Sequence, residues 1–122
     1  MAKILAVDDE AKILQIIRKA LEKDGHIVQT VQDGEVVRQM ELSRYDLILL
    51  DVMMPDMSGF EVSQQLKANP ETSEIPIIFL TALNSTADIV KGFQVGGNDF
   101  ISKPFNKEEL IIRVTHQISL IA

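Results

Sequence analysis

Two stretches, Leu47-Ile48-Leu49-Leu50 and Ile77-Ile78-Phe79-Leu80, constrain this chain more than anything else in it. Each is apolar at every position, with no alternation of apolar and polar side chains. A strand reads this way when both of its faces are covered, as in a parallel sheet with helices packed on either side. Short apolar runs then alternate with segments of helical period along the whole sequence. Strands are predicted at residues 3–8, 26–31, 46–51, 75–81 and 99–102, and amphipathic helices at 10–24, 34–43, 59–68, 86–95 and 107–121. Five βα units in succession predict an α/β three-layer sandwich. Glycine and proline fall where the segments meet. Gly25 and Gly96-Gly97 follow helices, Pro55 and Gly59 bracket the loop after the third strand, and Pro70 and Pro76 precede the fourth.

Composition narrows the function classes. A chain of 122 residues has room for one domain and no second beside it. The net charge of −6, with no run of Lys or Arg, argues against direct binding to nucleic acid or to an anionic membrane. The absence of cysteine excludes disulfides and thiolate metal sites. The first apolar stretch, Ile4-Leu5-Ala6-Val7, ends at Asp8, too short for a signal-peptide core or a membrane span. A cytoplasmic location is expected.

Five polar residues fall at the carboxyl ends of predicted strands: Asp8 and Asp9, Asp51, Thr81 and Lys103. In an open parallel sheet those ends line the crevice where ligands bind. Each residue alone has a plain structural explanation. Asp8 or Asp9 could cap the helix that follows, threonine often ends a strand, and a lysine after a strand is usually solvated. Capping accounts poorly for all five at one edge. Three converging carboxylates repel one another, and a hard divalent cation such as magnesium is the natural remedy. A lysine ammonium and a threonine hydroxyl nearby would complete a phosphate site. The set suits phosphoryl transfer to a carboxylate, in which positioning and charge neutralisation do most of the catalysis.

The segments Val7-Asp8-Asp9-Glu10, Leu50-Asp51-Val52-Met53-Met54-Pro55-Asp56-Met57-Ser58-Gly59, Leu80-Thr81-Ala82 and Lys103-Pro104-Phe105 resemble the response-regulator receiver family of two-component signalling. The motifs occur in the family's order and spacing across essentially the whole chain. The resemblance implies a flavodoxin-like five-stranded parallel sheet, order 2-1-3-4-5, flanked by five helices. It implies a signalling domain rather than an enzyme, phosphorylated on Asp51 by a histidine kinase or a histidine phosphotransfer protein. Asp9, Asp51 and the Met53 carbonyl would ligate Mg2+ directly, with Asp8 acting mostly through metal-bound water. Lys103 would pair with the phosphoryl group, the peptide before Pro104 would be cis, and Thr81 would bond a phosphoryl oxygen, with Ala82 leaving access.

Some positions depart from the commoner family pattern. Phe100 stands at the switch-aromatic position, where tyrosine is also frequent, and strand packing alone would explain it. Met53 and Leu83 occupy two variable positions beside the acceptor. Neither can orient an attacking water, which makes them candidates for setting phosphate lifetime. For Met53, gap-filling is the simpler account.

On the first helix, Leu14, Ile17 and Leu21 form the core stripe, with Ile13, Ile16 and Ala20 on its flank. The resemblance implies that Ile13, Ile16 and the Pro104 loop dock the histidine-bearing partner. On the last helix, Leu110, Ile111, Val114, Ile118 and Ile121 form a core stripe. A second row, Ile112, His116 and Leu120, suits a homodimer contact or an output domain. That helix looks more like receivers whose last helix extends into a coiled coil, leading to a kinase or cyclase, than like the winged-helix transcription factors. The chain is therefore expected to continue past Ala122 or to pair through this helix.

Two rival readings fail on residue order. A phosphatase of the haloacid-dehalogenase type carries its nucleophile on the first strand and a second Asp two residues on, where this chain has Met53. A flavin binder needs a loop rich in Ser, Thr and Gly after the first strand, and this chain has Asp8-Asp9-Glu10. A module that only binds partners would not need all five site residues.

Overall fold

The computed structural model describes residues 1–82 and 85–121. Its main sheet holds β1 (Lys3–Val7), β2 (Ile27–Val31), β3 (Leu47–Asp51), β4 (Ile77–Thr81) and β5 (Asp99–Ser102). All neighbours are parallel and the order is β2-β1-β3-β4-β5, as expected. The helices are α1 (Ala11–Lys23), α2 (Gly34–Arg38), α3 (Gly59–Ala68), α4 (Thr86–Gln94) and α5 (Lys107–Ser119).

The continuous apolar runs are buried on both faces, as their composition requires. Leu5, Val7, Ile48, Leu50, Ile77 and Phe79 face a layer that includes Val37, Phe60, Val62 and Leu66. Ile4, Ala6, Leu47, Leu49, Ile78 and Leu80 face Leu14, Ile17 and Leu21 of α1 and Leu110 and Val114 of α5. Each such side chain contributes about 1.5–3 kcal/mol when fully buried. The double-sided core therefore fixes strand register, and the register fixes the carboxyl edge. Val7 lies beside Leu50, Asp51 beside Leu80, and Thr81 beside Ser102, so the residues that follow β1, β3 and β5 emerge together.

Two helices differ from expectation. In place of one helix over 34–43, α2 stops at Arg38 and a separate 3-10 turn spans Leu42–Arg44. The N–H groups of Gln39 and Met40 reach back three residues, to the carbonyls of Val36 and Val37, so the helix tightens and ends. Adjacent β-branched Val36 and Val37 have low helix propensity, and the turn lets Met40 and Leu42 pack against the core. In α5, Ile121 lies beyond the last turn and is 50% exposed, so it does not belong to the core stripe. Leu110 and Val114 are fully buried, and Ile111 and Ile118 pack against them in part.

A short antiparallel ladder, Met53–Met54 with Met57–Ser58, follows β3. It returns the chain to the start of α3, where Ser58 Oγ accepts from Phe60 N at 3.2 Å. Gly59 is needed there for closeness, since a Cβ would run into the backbone carbonyl of Asp51. That contact brings the N-terminus of α3 hard against the end of β3.

Candidate functional site

At the end of β1, Asp8 is fully buried and Asp51, the last residue of β3, is 4% exposed. Local backbone groups hold one oxygen of each. Asp8 Oδ1 accepts from Glu10 N at 2.9 Å, and Asp51 Oδ1 accepts from Met53 N at 3.2 Å. The other oxygens face Lys103, whose Nζ lies 2.7 Å from Asp8 Oδ2 and 3.5 Å from Asp51 Oδ2. Glu10 Oε1 is 3.6 Å from the same ammonium. Lys103 is placed by its own backbone, whose N–H donates to the Thr81 carbonyl at 2.8 Å, and its peptide to Pro104 is cis, as expected. Thr81 is 2% exposed at the end of β4.

The charges do not balance, with three carboxylates facing one ammonium. Burial and then the charge of Asp8 push the Asp51 carboxyl up to about 7, and Lys103 offsets only part of this. Burial also raises Asp8, against its contacts with Lys103 and the Glu10 N–H. For Lys103, burial pulls the pKa down. Its contact with Asp8 and the charges of Asp51, Asp8 and Glu10 outweigh that pull and leave it raised.

The donor set suits a hard cation. Carboxylate oxygens of Asp8, Asp9 and Glu10 lie within 4.8 Å of one another. Asp9 is exposed and also touches the Asp51 side chain. Asp8 Oδ2 is buried and, although Lys103 Nζ is close, lacks a well-aligned hydrogen-bond donor. A donor set made only of carboxylate oxygens fits magnesium better than a softer metal. Glu10 is the member that sequence reading passed over. Its adjacency to the Asp pair was the available signal.

The other predicted residues sit around this centre. Met53 is 65% exposed beside Asp51. Leu83 lies outside the described residues. Phe100 is half-buried, with its ring 5.4 Å from Phe79 and 5.3 Å from Phe93. Gly92 of α4 packs so tightly on that ring that a Cβ would collide with it. Ile16 is exposed and Ile13 half-buried on α1, with Pro104 exposed at the loop after β5. Ile112 and Leu120 are 67% and 65% exposed, and His116 is exposed between them. No helix among the described residues is long and apolar enough to cross a membrane.

Comparison with known proteins gives a consistent picture. The profile described as "Response regulator receiver domain" matches residues 4–115. The transcriptional regulatory protein SpaR of Bacillus subtilis is 47% identical over 114 residues, covering 93% of this chain and 50% of SpaR. The chain spans about half the length of the curated relatives it matches. Among solved structures, the chemotaxis response regulator CheY4 of Vibrio cholerae is 35% identical with a TM-score of 0.88, covering 96% of this chain and 98% of that one. The receiver domain of a signal transduction histidine kinase from Syntrophus aciditrophicus is 35% identical with a TM-score of 0.86, covering 98% and 91%. These three come from different settings, a transcriptional regulator, a chemotaxis regulator and a histidine kinase.

Proposed function

The chain belongs to the response-regulator receiver family of two-component systems, and on that premise we propose that Asp51 accepts a phosphoryl group from a phosphohistidine. The observation that carries this reading is the shared ammonium. Lys103 reaches both Asp8 and Asp51 from a fixed loop, at the one sheet edge where carboxylates are buried against each other.

In the proposed step, an Asp51 oxygen attacks phosphorus and the bond from phosphorus to the donor imidazole nitrogen breaks. The imidazole leaves as the neutral ring after taking up a proton, and Asp51 becomes an acyl phosphate. Lys103 exchanges part of its contact with Asp51 for a phosphoryl oxygen, and the Thr81 hydroxyl donates to another. Asp8, Asp9, Asp51 and the Met53 carbonyl would hold Mg2+, which neutralises charge on the carboxylates and the phosphoryl oxygens. Once Lys103 and Thr81 turn toward the phosphoryl group, the packing of Phe100 against Gly92 and Phe93 couples the site to α4. Met53 and Leu83 set the lifetime of the product.

The histidine-bearing partner docks on Ile13, Ile16 and the Pro104 loop, on the cytoplasmic side of the cell. The exposed row of Ile112, His116 and Leu120 contacts an output domain continuing past Ala122, or a second copy. Nothing in the reading calls for direct contact with nucleic acid.

Incubation with phosphoramidate or acetyl phosphate and magnesium tests the acceptor. One acid-stable, base-labile phosphoryl group should map to Asp51, and Asp51→Asn should abolish it, because an amide is not a competent nucleophile. A label on serine, threonine or histidine instead would overturn the assignment.

A further inference from the structure

The short ladder after β3 sets Met53 apart from its neighbours. Met53 pairs with Ser58 and Met54 with Met57, and successive side chains on extended backbone face opposite ways. Met54 and Met57 turn into the core, at 8% and 6% exposure, whereas Met53 turns outward at 65%. It stays tied to the acceptor, since its N–H donates to Asp51 Oδ1. An open groove lined by Val52, Met53, Met54, Met57, Ser58 and Phe60 leads to the thioether. The chain has no cysteine, so its thioethers are its only sulfur. Met1, also strongly exposed, lies at the opposite end of β1 from the site.

We propose that Met53 is an oxidation site, converted to the sulfoxide by hydroperoxides ahead of the buried methionines, and that the sulfoxide shortens the life of a phosphoryl group on Asp51. The second half rests on the reading of Asp51 as acceptor. In the oxidation, the sulfur gives up two electrons and gains one oxygen, the O–O bond breaks, and the peroxide leaves as water or an alcohol. The product replaces an apolar thioether with a strong hydrogen-bond acceptor on the residue whose backbone N–H holds Asp51 Oδ1. A water held by that acceptor is oriented for attack on phosphorus. The bond from phosphorus to the Asp51 oxygen then breaks, releasing inorganic phosphate and restoring the carboxylate. A single hydrogen bond gained in the transition state makes decay about fivefold faster. Reduction by methionine sulfoxide reductases A and B restores the slow state.

Dilute hydrogen peroxide, followed by peptide mapping for added oxygen, tests the first half. Met1 and Met53 should oxidise well before Met54 and Met57, and equal rates at Met53 and Met54 would overturn the assignment. For the second half, protein phosphorylated with phosphoramidate and magnesium is followed for decay, each variant compared with its own unoxidised form. Oxidised wild type should decay faster, the two reductases should reverse this, and Met53→Leu should show no response to peroxide. Unchanged or slower decay after oxidation, or acceleration that persists in Met53→Leu, would contradict the proposal. A chain that takes no label before oxidation would refute the acceptor reading and with it the second half. The mapped order of oxidation would still decide the first half.

Discussion

The two edges of the sheet use similar polar side chains for opposite ends. At the amino edge they complete backbone hydrogen bonds that the strands leave open. Asp46 Oδ2 accepts from Lys3 N at 2.8 Å, Asn98 Oδ1 from Ile77 N at 2.9 Å, and His26 Nδ1 from Ala2 N at 3.1 Å. At the carboxyl edge, Asp8 and Asp51 instead face each other across Lys103 and strain the charge balance. The amino edge stabilises the fold directly. The carboxyl edge gathers buried charge, an arrangement that rarely adds stability over apolar packing. Polar groups arranged at a cost to stability mark the edge where chemistry is to be sought.

Substitution should separate the edges cleanly. Lys103→Ala removes the cation that Asp8 and Asp51 share. In magnesium-free protein at pH 8 it should lower stability by about 3 kcal/mol and impair the response to phosphorylation. Asn98→Ala leaves the Ile77 N–H without its partner and should cost about 1–2 kcal/mol in denaturant melts. Phosphorylation of that variant by phosphoramidate should proceed as in wild type. A response to phosphorylation impaired in Asn98→Ala as much as in Lys103→Ala would erase the distinction.

The pH dependence sharpens the same contrast more gently. Asp51 titrates at about 7 in the folded chain, against an ordinary 3.8. The fold therefore holds that proton more tightly than the unfolded chain does, and protonation is stabilising. Magnesium-free protein should lose stability as pH rises from about 4 through about 7, with Asp8 acting in the same sense. Lys103, also raised, contributes only near the lysine range. In thermal melts from pH 5 to 8, Asp51→Asn should flatten the decline, whereas Asn98→Ala should keep its slope.

The parts of this structure that sequence reveals are those with a period or a charge that packing must answer. Leu47–Asp51 and Ile77–Thr81 were legible because unbroken apolar runs have one common use. Asp8, Asp51, Thr81 and Lys103 were legible as a group because four strands end in polar residues. Their contacts were less so. The Asp8–Lys103 ion pair depends on loop geometry after β5, and Glu10 joins only because its side chain, at the N-cap of α1, reaches the same ammonium. The break in the second helix was hidden because Met40 keeps the i+3/i+4 spacing from Val37 and Val36 while the backbone has already turned. The Met53–Met54 ladder has two residues a side, too few for any period to show.

Magnesium-dependent thermal stability, at matched ionic strength, tests most directly whether the carboxyl edge is built for a cation and the amino edge for the fold. At about 100 times its dissociation constant, magnesium should stabilise wild type by roughly 2.7 kcal/mol. Asn98→Ala should gain the same increment from its lower starting point, and Asp9→Asn should lose most of it. A melting temperature that magnesium leaves unchanged, or an equal gain in Asp9→Asn, would contradict the account.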